Sequence, residues 1–192
     1  MISLTDEAIG FAAKAHDGQR RKSGSIPYIA HPYGVAMILQ QMGCDETIVV
    51  AGLLHDIVED TKTTMEEIRQ RFGDDIADIV AICTEPPKKS VNWEIRKVTM
   101  INSLREAPLH AKLVAAADKY HNLSHTRHNE QKDGSSVWKR FGRGKREQAW
   151  YYRTVFESIV ANVSHPENYP IFKQLELIIE ELFAGTIPLP PE

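Results

Sequence analysis

Apolar residues recur at helical spacing along most of the chain, and no segment alternates apolar and polar residues convincingly enough to predict a strand. Capping residues, prolines and glycines interrupt this pattern at short intervals, as they do at the ends of helices. The pattern therefore predicts one all-α domain. The predicted helices span residues 5–16, 32–43, 45–61, 64–72, 74–83, 93–105, 109–123, 146–163 and 167–184.

Two polar segments interrupt the helices. Residues 84–90 contain a proline pair and are predicted to form an exposed turn, because proline stops helices. Residues 129–145 are polar and contain three glycines, which predicts the longest loop of the chain. We assign residues 1–185 to a single domain, with a motif-bearing core at 5–125, less typical C-terminal helices at 146–184 and a tail at 186–192.

An apolar run at 48–54 is followed directly by a cluster of polar groups. On a helix, His55 shares a face with Glu59, and Asp56 shares a face with Asp60, because residues four apart are neighbours. Four polar groups at the end of a buried helix are costly unless something binds them. The cluster therefore predicts a divalent metal site.

Two further residues of metal-ligand type stand on otherwise apolar helices. His31 lies in the first turn of one helix, and Asp118 follows a run of small apolar residues in another. Two imidazoles and two carboxylates would suit Mn²⁺, Fe²⁺ or Zn²⁺, and the mixture does not select one of them. Asn122 lies four residues after Asp118 and could face the same cavity. The six remaining histidines, including His121 and His125, are interpreted as surface or structural residues.

Glu59 and Asp60 could orient or deprotonate a water molecule at such a site. Phosphate chemistry also needs positive charge on the substrate side, and arginine matches phosphate oxygens well. Two basic clusters could supply this charge, although each could equally be a solvated turn or loop. They are Arg20–Lys22 and the group Lys139, Arg140, Arg143, Lys145 and Arg146.

The overall composition predicts a cytoplasmic globular protein. The formal charge of -3 gives no reason to expect a nucleic acid polymer as partner, and the longest apolar run is too short to cross a membrane. Cys44 and Cys83 stand in no metal-binding or disulfide-framework spacing, which fits a reducing compartment. The first residues lack the basic and apolar regions of a signal peptide.

Taken together, the motifs identify a resemblance to a known family. The chain resembles the HD-superfamily hydrolases of the RelA/SpoT type, and in particular the short, stand-alone alarmone hydrolases. The resemblance covers roughly two-thirds of the chain, and the order and spacing of its motifs make it specific. The matching segments are Ala15–Lys22, Pro27–Pro32, Leu53–Thr61, Phe72–Gly73 and Ala117–Leu123.

This resemblance implies an HD-domain helical bundle and a Mn²⁺-dependent hydrolase that removes pyrophosphate from the 3′ position of a guanosine polyphosphate. By position, it assigns the metal ligands to His31, His55, Asp56 and Asp118. It makes Glu59 and Asp60 the residues that activate water. It assigns nucleotide contacts to Arg21, Lys22 and Asn122.

The chain departs from the family pattern where the nucleotide is expected. Ser124 and His125 stand where family members commonly carry Arg and then Thr or Asp, so a positive charge is missing there; Arg127 or the 139–146 cluster could replace it. An aromatic residue is also expected against the nucleotide. Trp150, Tyr151 and Tyr152 compete for this role, and we assign it to Tyr151.

The leading hypothesis is a pyrophosphohydrolase acting on ppGpp or its adenosine counterpart ppApp. A phosphatase acting on a ribose monophosphate, such as the 2′-phosphate of NADPH, could use the same site. A non-catalytic nucleotide sensor is the third hypothesis, and it predicts a damaged metal site. All four ligand residues and both acidic residues are present in the sequence.

Overall fold

A computed structural model of the protein describes residues 2–21 and 25–191, and these residues fold almost entirely into α-helices. The only extended pairing within the described residues is an isolated antiparallel bridge between Arg20 and Pro27. The predicted all-α fold class is confirmed. The helices are α1 Leu4–Ala15, α2 Ala30–Gln41, α3 Glu46–Leu54, α4 Ile57–Asp60, α5 Met65–Phe72, α6 Asp74–Cys83, α7 Trp93–Glu106, α8 Leu109–Asp133, α9 Lys145–Val160 and α10 Pro170–Leu182.

Helix α3 lies at the centre of the fold, with every residue from Ile48 to Leu54 buried. It packs against α1, α2, α6 and α8. A helix that is apolar on all sides needs such a surround, because any exposed face would leave apolar surface in water. This packing fixes the position at which α3 ends, and the residues that follow are the predicted metal ligands.

Two helix starts predicted from capping residues, at Asp45 and Thr64, are confirmed, whereas the first helix is capped by Ser3 and not by the predicted Thr5 or Asp6. Asp45 accepts a hydrogen bond from the backbone N–H of Ile48 at 3.0 Å. Thr64 and Glu67 form a reciprocal capping box at the start of α5. Gly73 separates α5 from α6 with φ +88°, a conformation that glycine adopts without steric penalty.

The prediction of one continuous helix over 45–61 is wrong. α3 ends at Leu54, and α4 begins only at Ile57. The ring of His55 explains the break, because its Nδ1 lies 2.8 Å from the carbonyl oxygen of Gly52. In a continuous helix that carbonyl would accept from the backbone N–H of Asp56. His55 and Asp56 therefore lie between two helices, and Glu59 lies on the second of them.

The prediction of a loop at 129–145 is also wrong. α8 continues to Asp133, a 3₁₀ helix follows at 134–140, and only 141–144 lie outside helices. The Glu130 carboxylate accepts from Trp138 Nε1 at 2.6 Å and from Lys145 Nζ at 3.0 Å. These contacts hold the polar segment against α8, and the side chain of Trp138 is buried.

The residues after α10 lie along α9. Arg153 donates to the carbonyl oxygens of Phe183 and Thr186, and the N–H of Leu189 donates to the carbonyl of Arg146. None of the described helices combines the length and the apolar character that a membrane span requires.

Candidate metal centre and adjoining cleft

Three places in the fold bring the four predicted metal ligands together. His31 stands in the first turn of α2, His55 and Asp56 occupy the break between α3 and α4, and Asp118 lies within α8. His31 Nε2 lies 3.3 Å from Asp56 Oδ2 and 3.1 Å from Asp118 Oδ1. His55 Nε2 lies 3.3 Å from Asp56 Oδ1 and 3.7 Å from Asp118 Oδ1.

The donor atoms of this group fit a divalent cation. His55 Nε2 is buried and has no hydrogen-bond partner, while Nδ1 of the same ring is bonded to the Gly52 carbonyl. A ring that donates from Nδ1 presents the lone pair of Nε2, which is the atom that binds a metal. His31, His55 and Asp118 each offer a ligand atom within 4.8 Å of the others.

The two buried carboxylates of the site also favour binding of a cation. Burial alone would raise the pKa of Asp56 and Asp118, but the histidines around Asp56 and the Lys119 ammonium beside Asp118 hold both pKa values well below the usual range. Burial lowers the pKa of His55, yet the carboxylates of Asp56 and Asp118 raise it well above its usual value. The carboxylates thus attract a positive charge to this position. A divalent cation would supply that charge while leaving the imidazole neutral.

Hydrogen bonds from surrounding residues orient the two carboxylates. The Tyr28 hydroxyl donates to Asp56 Oδ2 at 2.6 Å. Asn122 Nδ2 donates to Asp118 Oδ1 at 2.6 Å, and Arg21 Nη2 donates to Asn122 Oδ1 at 3.1 Å. Such outer contacts fix the geometry of metal ligands. The motif-based prediction did not include Tyr28.

His121 orients His31 in the same way. The Nδ1 atoms of the two rings lie 2.9 Å apart. Burial, with the nearby positive groups, lowers the pKa of His121 to about 3, so its ring is neutral and can accept from His31 Nδ1–H. The Nε2 lone pair of His31 then faces the carboxylates. The sequence-based interpretation of His121 missed this contact, although its spacing of three residues from Asp118 places both on one face of α8.

The acidic pair Glu59 and Asp60 lies on α4, one turn beyond the metal ligands. Lys88 Nζ contacts Glu59 Oε1 at 2.9 Å and Asp60 Oδ1 at 2.8 Å. The backbone N–H of Glu85 donates to Glu59 Oε2 at 3.3 Å. Burial raises the pKa of Glu59, and Lys88 partly counters this effect.

A cleft of about 480 Å³ opens beside the ligands and the acidic pair. Its wall contains the cations Arg96 and Lys97, which bond the buried Glu85 carboxylate at 2.7 and 2.5 Å. Lys97 Nζ also lies 4.4 Å from the centre of the Tyr151 ring. A cleft lined by cations beside a metal site suits a substrate that carries several negative charges.

Residues 8–146 match the family model described as HD domain. The chain belongs to the HD domain family. It is 45% identical over 124 residues to guanosine-3′,5′-bis(diphosphate) 3′-pyrophosphohydrolase MESH1 of Xenopus tropicalis, covering 63% of this chain and 68% of that protein. It is 35% identical over 134 residues to GTP pyrophosphokinase of Myxococcus xanthus, covering 64% of this chain but only 17% of that protein.

Solved structures share the fold. A Listeria monocytogenes protein, lmo0812, is 39% identical, with a TM-score of 0.74 over 80% of this chain and 98% of that one. A metazoan orthologue of SpoT that hydrolyses ppGpp is 29% identical, with a TM-score of 0.73. That likeness covers 95% of this chain and 96% of the other. The predicted family and HD-domain fold are confirmed.

Most of the residues considered as nucleotide contacts in this HD domain line the cleft, but not all of them do. Arg21, Asn122 and Tyr151 line the cleft, as does Tyr152. Trp150 is absent from the cleft wall and packs on Trp93, with ring centres 6.1 Å apart. Lys22 lies outside the described residues.

The residues that could replace the missing positive charge also differ in whether they line the cleft. Arg127 bonds Glu181 at 2.9 Å and is absent from the cleft wall, whereas Arg140 and His125 line the cleft. The hydroxyl of Ser124 is buried without a partner. Sequence analysis missed a larger set of cleft cations, which comprises Lys88, Arg96, Lys97 and Lys119.

Proposed function

We propose that this protein is a Mn²⁺-dependent hydrolase that removes pyrophosphate from the 3′ position of a nucleotide alarmone, with ppGpp as the first substrate to test and ppApp as the second. One observation carries the proposal. The His31, His55, Asp56 and Asp118 side chains converge beside an acidic pair in a cation-lined cleft. The MESH1 relatives are named for this reaction.

In this proposal the four converging side chains hold the cation. When bound, Mn²⁺ would polarise a phosphate oxygen and bring the pKa of water toward neutrality. We name Mn²⁺ because the family resemblance implies it. The mixed nitrogen and oxygen ligands by themselves would also fit Fe²⁺ or Zn²⁺.

The acidic pair carries the proton transfer. A water oxygen forms a bond to the phosphorus attached to the ribose, the bond from that phosphorus to the 3′ oxygen breaks, and pyrophosphate leaves. Glu59, with Asp60 beside it, takes the proton of the attacking water, and this proton passes through solvent to the 3′ oxygen, which leaves as a hydroxyl. The buried position of Glu59 suits a general base, because burial raises its pKa toward the working range.

The nucleotide itself would contact the other wall of the cleft. Asn122 bonds Asp118 and Arg21 bonds Asn122, which supports a role for both in holding the ribose phosphates. The resemblance adds Lys22 to this group. Tyr151 would pack against the nucleotide, and its position in the cleft wall supports this assignment. We assign the protein to the cytoplasm, where a reducing environment keeps thiols such as those of Cys44 and Cys83 unpaired. We retain residues 1–185 as one domain.

The experiment that tests the proposal is hydrolysis of ppGpp, ppApp and NADPH in parallel, with added Mn²⁺ and analysis of the products. Release of pyrophosphate from ppGpp or ppApp supports the proposal and identifies the base. Release of phosphate from NADPH alone would favour the ribose-monophosphate phosphatase. No turnover of any of the three with metal bound would favour a nucleotide sensor. An Asp118→Asn variant, which should lose metal, controls for contaminating phosphatases.

A further inference from the structure

The segment between α6 and α7 presents Lys88 at the rim of the cleft. Lys88 follows the proline pair Pro86–Pro87, and the carbonyl of Pro87 accepts from the N–H groups of Ser90 and Val91 at 3.2 and 3.1 Å. Proline fixes the backbone φ angle, and these bonds close the turn that follows. The backbone that carries Lys88 is therefore held in a defined position.

The buried Glu85 anchors this segment from the other side. Its carboxylate bonds Arg96 and Lys97 at the start of α7, while its N–H donates to Glu59. Residues 85–88 therefore contact both the cations of the cleft wall and the acidic pair Glu59 and Asp60. Lys88 is the last residue of this segment.

The ammonium of Lys88 bridges the two proposed catalytic carboxylates. It contacts Glu59 at 2.9 Å and Asp60 at 2.8 Å. The side chain of Lys88 is 53% exposed, whereas those of Glu59 and Asp60 are 12% and 21% exposed. Only one end of this ion-pair group is therefore free to reorient. The bridge also occupies carboxylate oxygens that an attacking water would need.

A purely structural role accounts poorly for this arrangement. Ion pairs with a solvent-exposed partner contribute little to stability, because water screens them and the flexible side chain must be ordered. Lys97 and Lys119 differ from Lys88, since their side chains are mostly buried and are held on the carboxylates of Glu85 and Asp118. Lys88 is the most exposed of these three lysines, and it lies at the acidic end of the cleft.

We propose that Lys88 is a further catalytic residue, whose ammonium leaves the Glu59–Asp60 pair when substrate binds and contacts the oxygens of the 3′-pyrophosphate. The move frees both carboxylates for the attacking water and places a positive charge beside the non-bridging oxygens of the pyrophosphoryl group, which carry negative charge while its bond to the 3′ oxygen breaks. Lys88 stays protonated throughout, so the proton balance of hydrolysis is unchanged. This inference rests on the proposed function.

The test compares Lys88→Met and Lys88→Arg with Lys89→Met, a matched control one residue away. Lys89 is exposed and forms no ion pair within the described part of the chain. We expect Lys88→Met to lower kcat by about 100-fold, the usual effect of removing one donor that stabilises developing charge. Lys88→Arg should recover part of this loss, and Lys89→Met should match the parent. Mn²⁺ affinity should be equal in all variants.

Two readouts separate catalysis from structure. In the substrate-free enzyme Lys88 lowers the pKa of Glu59, so its removal should move the acidic limb of the kcat/KM profile, which reports the free enzyme, to higher pH. Inorganic pyrophosphate should bind Lys88→Met about tenfold more weakly than the parent, as expected for loss of a charged hydrogen bond. This binding is measured by calorimetry at one total Mn²⁺ concentration, so that chelation in solution is common to all variants.

The proposal is overturned if Lys88→Met keeps the kcat and the pyrophosphate affinity of the parent within twofold, or if Lys89→Met loses as much as Lys88→Met. If the parent releases no pyrophosphate from either nucleotide, the proposed function fails by itself. The assignment of Lys88 as a phosphate contact then depends on the pyrophosphate affinities alone.

Discussion

Gly34 leaves the space that the His121 ring occupies beside the metal centre. It lies three residues after His31 on α2, so both face α8. A Cβ atom built on Gly34 would lie 2.3 Å from His121 Nε2, 2.7 Å from Cδ2 and 3.3 Å from Cε1. Gly34→Ala is therefore a small change that acts directly on the contact between His121 and His31.

The size of the effect follows from these distances. Non-bonded carbon atoms pack at about 3.5–4.0 Å, so the ring must retreat by roughly 1 Å, which breaks its 2.9 Å bond to His31 Nδ1. Overpacking of this kind costs about 1–3 kcal/mol, and the better helix propensity of alanine returns up to about 1 kcal/mol. Loss of a residue that orients a metal ligand lowers metal affinity by about 10- to 100-fold.

The assay combines urea unfolding with calorimetric titration of Mn²⁺. Gly10→Ala is the matched control, because Gly10 lies inside α1 and a Cβ there meets nothing within 4 Å. It should stabilise the protein by up to about 1 kcal/mol and leave Mn²⁺ affinity unchanged. In a His121→Ala background, Gly34→Ala should lose its penalty, since the ring that it displaces is gone. Parent-like Mn²⁺ affinity of Gly34→Ala in the native background would refute the role assigned to His121.

Three further predictions concern the acidic pair and a buried lysine. Replacing Glu59 by Gln and Asp60 by Asn should abolish turnover and leave Mn²⁺ bound; calorimetry alongside the hydrolysis assay checks this, and retained activity would remove both from the mechanism. Because burial raises the pKa of Glu59, kcat should fall as pH drops through a value above that of an ordinary glutamate, and a limb at the ordinary value would contradict its role as base. Lys112→Met should cost about 2–3 kcal/mol in urea unfolding, because the buried ammonium donates to the carbonyls of Arg105 and Ala161 at the ends of α7 and α9; an unchanged midpoint would show that water replaces it.

The sequence predicted well those features that depend on near neighbours in the chain. The caps at Asp45 and Thr64 depend on residues three positions away, and both form as predicted. The metal-ligand types were recognisable for a similar reason, since polar residues on apolar helices are costly without a partner. His31 and Asp118 come to lie beside His55 because α2 and α8 pack against α3. The periodicity of the sequence does not predict this packing, and the family resemblance supplied the ligand set instead.

The features that sequence analysis missed depend on side chains that compete with the backbone or act over long distances. The break after α3 exists because the His55 ring takes the Gly52 carbonyl, and no periodicity encodes that choice. The extension of α8 beyond Leu123 depends on Glu130, whose partners lie 8 and 15 residues further along the chain. A polar composition therefore predicted a loop where tertiary contacts favour a helix.

The cations of the cleft were also missed by sequence analysis, and they affect which substrate the cleft can bind. Residues 84–90 were predicted to form an exposed turn because of their prolines, yet Glu85 is buried and directs Arg96 and Lys97 into the cleft wall. The motifs contain the proposed metal ligands and the acidic pair, whereas four cations of the cleft wall, Lys88, Arg96, Lys97 and Arg140, lie outside the motifs. Because the family resemblance leads us to expect arginine where this chain has Ser124, whose hydroxyl is buried, the positive charge of this cleft has a different origin. Substitutions at Lys88 and Arg140 should therefore change the preference for ppGpp and ppApp over NADPH more than they change metal binding, because only the first two nucleotides carry a 3′-pyrophosphate.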